Sequence, residues 1–307
     1  MARPKKENVT SPFMDELKTK LKDKYSEGTA NLYLSKLRIL NKDAPFSSLT
    51  FLKNHNKIIT AIENIENLNT RKSYVTACVG VLSAVDNATY NKINTHYKAS
   101  LNKFKVQSNA IDTTKKTNTQ EKNWIDWKGV LSIYDKLEAA ADKVTQKEID
   151  NNNKSAIDAI EKHVLLALYV LTPPRRNLDY YNMVVGGGDE TDRNYYDGEK
   201  FTYNTYKTAR SRGAEVFDVP EKLCDVLDRY IEMMDIKDGQ FLLYSNGTRS
   251  PLAITRDLNR IFGKAIGSSM LRHIWNSHLF GDVIDKIKDN ADKLGHSVGM
   301  DLGYVKT

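Results

Sequence analysis

Apolar residues recur at helical spacing through the first hundred positions of the chain. Phe13, Leu17 and Leu21 lie four residues apart, which predicts one face of a helix ending near Tyr25. No alternating strand pattern interrupts this region, so we expect an all-helical domain over 13–106, after a flexible N-terminus at 1–12. Four further amphipathic helices are predicted in it, over 26–40, 58–65, 70–85 (capped by Asn69 or Thr70) and 90–104.

The periodicity stops at 107–121, a polar segment rich in Thr and Asn that we interpret as a domain linker. The second domain, 122–307, begins with two long helices and continues with short runs of aromatic and β-branched residues, which favour strands. After Pro220 helical spacing returns. The predicted fold is therefore mainly α with a small antiparallel β-sheet. Its predicted elements are helices at 125–143 and 153–171, strands at 183–185, 200–206 and 215–219, and later helices interrupted at 245–248 and near 267.

Charge is distributed unevenly between the two regions. Residues 1–120 carry 20 Lys and Arg against 10 Asp and Glu, a balance of +10, whereas the remaining 187 residues carry 26 against 29, a balance of −3. A basic module joined to a nearly neutral one is typical of proteins that capture a polyanion with one part and act on it with another. A lysine-rich solvated surface is the alternative, and composition alone does not separate the two.

Several classes of protein are disfavoured by what the sequence lacks. No apolar run approaches the roughly 20 residues of a membrane span, and the basic start is not followed by the apolar stretch of a secretory signal. The two cysteines fit a reducing compartment. The six histidines have no metal-site spacing, and no glycine-rich phosphate loop precedes a Lys-Ser/Thr pair. We therefore expect neither a membrane association, nor a metal, nor a cofactor.

Four blocks of the second domain carry arginines, a lysine, a histidine and a tyrosine in an ordered series. They are Thr172-Pro173-Pro174-Arg175-Arg176-Asn177-Leu178-Asp179, Tyr206-Lys207-Thr208-Ala209-Arg210-Ser211-Arg212, Ser269-Met270-Leu271-Arg272-His273, and Leu294-Gly295-His296-Ser297 followed by Tyr304. Each block alone is more simply a solvated or packed surface feature; paired arginines after a helix, for example, complement its dipole. Together, in this order and spacing, the blocks resemble the signature of the tyrosine recombinases, the integrase family of DNA-rearranging enzymes.

In the first block, the position of the acidic residue decides which arginine matches the first arginine of the family. Asp179 follows Arg176 by three residues, as an acid follows the first arginine of the family, so Arg176 matches that arginine. Arg175 is the alternative, but Leu178 then stands at the acid position. The resemblance implies that Asp179 buttresses an arginine. The double proline before the arginines departs from the commoner glycine and is similar to integrases of eukaryotic DNA viruses and their satellites.

The other blocks supply the remaining catalytic candidates. Lys207 matches the lysine of the family's β-hairpin, and Arg272 matches its second arginine. Ser269 stands where a histidine is usual; a serine can donate to a phosphate oxygen but cannot shuttle a proton near neutral pH. His296 matches the histidine before the nucleophile, and Tyr304 matches the nucleophile, one residue closer than usual.

The resemblance also implies a mechanism, a shape and partners. Tyr304 would cleave DNA through a 3′-phosphotyrosine bond without metal or ATP, and the helical first domain would close a C-shaped two-domain clamp around double-stranded DNA. The implied assembly is a monomer when free and a homo-tetramer on paired sites, although the helix that links protomers in many relatives has no counterpart in the three residues after Tyr304. The implied location is intracellular, with the element's or host's DNA in a nucleus or viral replication site. Candidate DNA contacts are Lys36, Arg71, Lys72, Arg210 and Arg212.

Two other functions remain open at this stage. A type IB topoisomerase uses nearly the same set of residues to relax supercoils, and Ser269 in place of the histidine keeps that alternative. A DNA-binding relative that has lost catalysis is the second. The Leu-Gly-His-Ser block and the tyrosine close to the end of the sequence favour the recombinase.

Overall fold

The computed structural model describes residues 10–85, 88–111, 114–188, 191–244 and 252–304, with backbone only at 301–303. Contacts divide the chain into two units, 1–115 and 116–307. In these described ranges, no helix is both long and apolar enough to cross a membrane. The interruption predicted at 245–248 and most of the flexible segment predicted at 1–12 lie outside the described residues.

The first unit consists of helices whose beginnings are fixed by polar side chains. Ser11 accepts a hydrogen bond from the Met14 N–H, and Ser26 accepts one from Thr29. The predicted cap of the fourth helix, Asn69 or Thr70, is wrong by two or three residues, because Asn67 accepts the Thr70 N–H at 3.0 Å. The helices are α1 (Pro12–Lys22), α2 (Glu27–Leu40), α3 (His55–Glu63), α4 (Leu68–Ala84) and α5 (Ala88–Asn109), with a 3-10 turn at Thr50–Lys53.

The core of this unit forms around α4, which packs against the four other helices. Gly80 allows α4 to approach α2 closely, since a Cβ at this position would lie 2.5 Å from Cε2 of Tyr33. Tyr97 of α5 is fully buried and donates to the Leu52 carbonyl at 3.0 Å. The described part of this unit contains no strand, which agrees with the predicted all-helical domain.

The second unit combines ten helices with four strands over the residues described. The strands are β1 (Met183–Val185), β2 (Asn194–Tyr196), β3 (Lys200–Tyr203) and β4 (Glu215–Asp218). The helices are α6 (Asn118–Asn123), α7 (Trp127–Ala141), α8 (Gln146–Asp150), α9 (Lys154–Val170), α10 (Asn177–Tyr181), α11 (Ala209–Arg212), α12 (Glu221–Met233), α13 (Ala253–Phe262), α14 (Ser268–Leu294) and α15 (Val298–Tyr304).

The sheet is mixed, so the prediction of an antiparallel sheet is wrong for one pair. β1 and β2 are parallel, whereas β2–β3 and β3–β4 are antiparallel. The sequence does not predict β2 at all, because three consecutive buried residues show no alternation between two faces. The mainly helical character with a small sheet is confirmed.

The segment predicted as a linker is partly helical. α5 continues to Asn109, and α6 begins inside the segment with a capping box in which Thr117 and Gln120 bond each other's backbone N–H groups. The division between the two units falls at 115/116, between these helices.

Candidate active site

The two arginines of the first block have different surroundings. Both lie in the segment between α9 and α10. Arg175 donates from Nε to Asp179 at 3.0 Å and from Nη2 to Glu215 at 3.4 Å, and its guanidinium lies 3.8 Å from the centroid of the Tyr203 ring. Among the described residues, the Arg176 side chain has no hydrogen-bond or ion-pair partner. Asp179 therefore buttresses Arg175, and Arg176 keeps its donors available.

Arg176 and Arg272 come together although 96 positions separate them in the sequence. The pKa of Arg272 is lowered, first by burial and then by the positive charge of Arg176. Within the described chain, the only hydrogen bond of the Arg272 side chain is a long one from Nε to the Ser268 carbonyl, 3.4 Å. Two half-buried guanidiniums that repel each other and retain free donors are a candidate site for an anion with several oxygens.

The N-terminus of α14 adds to the positive potential of this site. Arg272 lies in its second turn, and Gly267 precedes the helix without a side-chain cap, so the first N–H groups have no side-chain acceptor. Ser269, on the first turn, is exposed. The Asn177 side chain, next to Arg176, donates to Thr255 at 2.7 Å, and Thr255 lies beside Gly267. This contact joins the start of α10 to α13, beside the residue that precedes α14.

Lys207 lies in the connection between β3 and β4, close to the same segment. Its side chain is exposed and has no hydrogen-bond partner among the described residues. The ring of the preceding Tyr206 lies 5.6 Å from the Arg175 guanidinium. The predicted hairpin thus exists, and Arg175 links its connection to the arginine segment.

Asn194 fixes this connection to α10. It is fully buried, its amide nitrogen donates to the carbonyls of Asp179 (2.8 Å) and Thr205 (3.0 Å), and its oxygen accepts the N–H groups of Asn204 and Thr205. A buried amide that satisfies four backbone groups holds two segments in a defined geometry. The sequence does not single out Asn194, because nothing local distinguishes it from the other asparagines of a chain rich in this residue.

His296 and Tyr304 are neighbours at the other end of α14. Gly295 ends that helix in the left-handed conformation at φ 70°, and the His296 N–H donates to the Ala291 carbonyl at 3.0 Å. The Leu-Gly-His-Ser block is therefore a helix stop. The centroids of the His296 and Tyr304 rings are 5.6 Å apart, and 68% of Tyr304 is exposed.

The structure does not bring these two groups to the arginines of the same chain. Arg272 and Leu294 both lie in the uninterrupted helix α14. Their separation of 22 residues corresponds to about 33 Å at 1.5 Å per residue, several times the length of any side chain. The predicted set is thus divided: Arg176, Arg272 and Ser269 lie at the α14 N-terminus, and His296 with Tyr304 lies beyond its C-terminus. Over the residues described, Lys207, on the hairpin connection, is linked to the arginine segment only through the contact of its neighbour Tyr206 with Arg175.

The basic residues proposed to contact DNA differ in how strongly the chain itself holds them. Lys36 lies 4.1 Å from the ring centroid of Tyr74, Arg71 donates to the Ile65 carbonyl, and Lys72 donates to Ser108 at 2.9 Å. In the hairpin connection, Arg210 is exposed, and Arg212 contacts Glu215 at 3.6 Å with 69% of its side chain exposed. The hairpin arginines are therefore freer to reach a ligand than the three residues of the first unit.

The described residues contain no candidate metal centre, and no known protein matches the chain. Over the described residues, no group of three or more His, Cys, Asp or Glu side chains could hold a metal ion. Comparisons with family models, curated proteins and solved structures find nothing that matches this chain.

Proposed function

We propose that the chain is a site-specific DNA recombinase that cleaves and rejoins DNA through Tyr304. The observation that supports this most is the pair Arg176 and Arg272, which lie together with free donors at the N-terminus of α14. A phosphodiester under attack accumulates negative charge on its non-bridging oxygens, and two guanidiniums at a helix N-terminus match that charge. The four ordered sequence blocks supply the specific reaction.

The proposed cleavage step keeps the number of phosphodiester bonds constant. The Tyr304 hydroxyl oxygen attacks phosphorus and loses its proton, with His296 as the adjacent acceptor or as a donor to the phosphate. The bond between phosphorus and the 5′ oxygen breaks, and Lys207 donates a proton to that oxygen. The enzyme is left on the 3′ phosphate. Attack by the 5′ hydroxyl of a second strand reverses the step and exchanges the strands.

The first unit is proposed to bind the duplex. Its predicted excess of positive charge suits sequence-independent phosphate contacts, which fix position without reading bases. In this proposal the two units close a C-shaped clamp on double-stranded DNA, and four protomers act on two paired sites. The exposed Arg210 and Arg212 would contact the backbone beside the cleaved bond.

One observation favours a second candidate, a DNA-binding protein without catalysis. Tyr304 lies at the far end of α14 from Arg272, so a single chain in this conformation cannot cleave. The topoisomerase alternative requires the same tyrosine to meet the same arginines, so the geometry does not favour it over the recombinase.

Covalent capture on duplexes of randomised sequence tests the proposal, because the protein itself then selects its target. The protein is incubated in EDTA with these duplexes in nicked form, denatured, and freed of unattached DNA; attached DNA is then sequenced. We expect a denaturant-resistant adduct of the wild type that enriches a defined sequence and is lost in Tyr304→Phe. The matched control is Tyr90→Phe, which removes a hydroxyl from the first unit and should leave the adduct unchanged.

The products distinguish the remaining functions. Exchanged strands and four-way junctions from the selected duplexes indicate a recombinase, whereas relaxation of a supercoiled plasmid without exchange indicates a topoisomerase. DNA binding without any adduct would contradict the proposal and support the non-catalytic relative. An adduct that persists in Tyr304→Phe would show that another residue is the nucleophile.

A further inference from the structure

Helix α14 carries apolar residues on two opposite sides. In its first third, Leu271 and Ile274 are buried, at 0% and 1% exposure. Nine residues after each of them stand Phe280 and Val283, which are 53% and 51% exposed. Nine residues correspond to about two and a half turns at 3.6 residues per turn, so the second pair faces away from the side that the first pair buries. A straight helix cannot bury both sides against one body.

The second side continues to the end of the helix as a regular stripe. Its members are Phe280, Val283, Ile287 and Leu294, and Met300 of α15 follows. Leu294 and Met300 are 59% and 54% exposed. Spacings of three, four and seven residues are those of a seam between two helices. Ile287 is partly buried and the other four residues of the row are exposed. A mainly exposed apolar row of this kind indicates an interaction surface.

The polar residues beside the stripe argue for a protein rather than DNA as its cover. From Asp282 to Lys293 the helix carries four aspartates and three lysines, so it offers no excess of positive charge to a polyanion. Charges of both signs are interspersed along this stretch, as in helices that pair with a copy of themselves. We take the segment from Leu279 to Tyr304 as one feature and call it the arm.

The arm also separates the reacting groups. It begins just after Trp275 and His278, whose rings contact Trp127 of α7 at 4.7 and 6.1 Å between centroids and so anchor the start of α14. It ends with the His296–Tyr304 pair, about 33 Å along the helix from Arg272. Each chain therefore holds an anion site without a nucleophile and a nucleophile without an anion site.

From these observations we infer that the arm packs against a second copy of this chain and places Tyr304 of one copy at Arg176 and Arg272 of the other. This inference rests on the proposed recombinase function. It explains two features with one contact, since the second copy covers the apolar stripe and completes the site. In the competing arrangement, α14 breaks at Gly281 and the arm folds back, so that Tyr304 meets the arginines of its own chain. Gly281 is an interior helix position, where glycine is unfavourable by about 1 kcal/mol relative to alanine.

Mixing two inactive full-length variants tests the inference. Arg176→Ala keeps the tyrosine and alone should lose on the order of 10²–10³-fold in adduct formation on the selected nicked duplexes. Tyr304→Phe keeps the arginines and alone should form no adduct. If copies share sites, the mixture recovers to within about tenfold of the wild type. A size tag on one variant shows that the attached DNA is on the Arg176→Ala chain.

Two outcomes overturn the inference or its basis. A wild type that forms the adduct while the mixture remains inactive shows that Tyr304 acts within its own chain, which overturns the shared site. A wild type that forms no adduct overturns the proposed function and the inference with it.

Substitutions in the arm give a second readout. Gly281→Ala strengthens the straight helix, so a shared site predicts that adduct formation is retained or increased, whereas loss of the adduct with intact DNA binding would favour a break at Gly281 and overturn the inference. Val283→Lys should reduce self-association on DNA in sedimentation, and Asp285→Lys, an exposed polar position of the same helix, is the matched control. Equal association of Val283→Lys and the wild type would also contradict the shared arm.

Discussion

The positive charge of Arg176 acts on Arg272, whose pKa is lowered first by burial and then by this neighbour. Neither guanidinium forms an ion pair among the described residues, although the Asp179 carboxylate attracts both at longer range. The surrounding fold, and not mutual attraction, therefore holds the two arginines near each other. A phosphate would relieve the repulsion. The proximity of the two guanidiniums is thus electrostatically unfavourable in the free protein and becomes favourable when an anion binds between them.

The first prediction concerns Arg272→Gln, which removes one charge of this pair. We expect adduct formation to fall by roughly 10²–10³-fold, the usual loss when one preorganised donor is removed. The free energy of unfolding should be unchanged or slightly higher, since a repulsion is lost. Adduct yield and urea unfolding measure the two effects. Arg256→Gln, at an exposed position of α13, is the control; equal loss in both variants would contradict the assignment.

The second prediction concerns the ion pair between Arg175 and Asp179. The Asp179 side chain is 4% exposed, and burial raises its pKa against the opposing effect of Arg175. Arg175→Met leaves this carboxylate buried without its cation, so we expect a loss of about 3 kcal/mol in the free energy of unfolding at pH 7.

The pH dependence of Arg175→Met has a definite sign. Without Arg175 the folded-state pKa of Asp179 rises further above its unfolded value, so the folded state binds the proton more tightly. The deficit relative to the wild type should therefore shrink as pH falls from 7 to 5. Urea unfolding at both pH values measures it. Arg175→Met with Asp179→Asn should recover part of the loss, and a deficit that is the same at both pH values would contradict the argument.

The third prediction concerns Asn194→Leu, which keeps the branched shape of the side chain but makes no hydrogen bonds. Four backbone groups of α10 and the hairpin connection lose their partner, so we expect a loss of about 2–4 kcal/mol in the free energy of unfolding. Amide exchange should increase at residues 204–206. Asn91→Leu, at an exposed position of α5, controls for the change in side chain. Unchanged exchange in the connection would show that Asn194 does not hold it.

The fourth prediction separates DNA contacts from structural cations. Arg210→Ala should reduce the slope of log K against log salt concentration by about 0.9, the value for one lost phosphate contact. Arg71→Ala should instead lower the free energy of unfolding, because its Nε donates to the Ile65 carbonyl. Fluorescence anisotropy at several salt concentrations measures the slope. A larger change in slope for Arg71→Ala than for Arg210→Ala would reverse the assignment.

Local signals predict the elements that depend on local interactions. α1 and α2 are predictable because an apolar stripe and a serine cap both lie within or next to the helix itself. β2 cannot be predicted in this way, because it pairs with β1 in parallel and with β3 in antiparallel orientation, both across loops. Its three consecutive buried residues also show no alternation between two faces. The break predicted near Gly267 is confirmed, since α14 begins there. That α14 continues through Gly281 could not be predicted, because the spacing of apolar residues does not show whether a glycine interrupts a helix.

The candidate site divides in the same way. The sequence favours Arg176 over Arg175 because of the position of Asp179, yet the structure pairs Asp179 with Arg175 and leaves Arg176 free. The sequence thus selects Arg176, the arginine without a partner in the described part of the chain, but not for the reason that the structure shows. Arg175 is occupied because it also contacts Tyr203 and Glu215, which lie far along the chain and belong to no local pattern.

The short helix α6 has a practical consequence for dissecting the protein. The Asn123 side chain accepts the Ala265 N–H at 3.0 Å, and the Trp124 carbonyl accepts from Lys264 at 3.5 Å, so the start of the second unit supports the turn that leads into α14. A fragment cut at residue 122, where the sequence places the domain start, would lose Thr117 and Gln120 and with them the capping box of this helix. Expression of the second unit by itself should therefore start at or before residue 116.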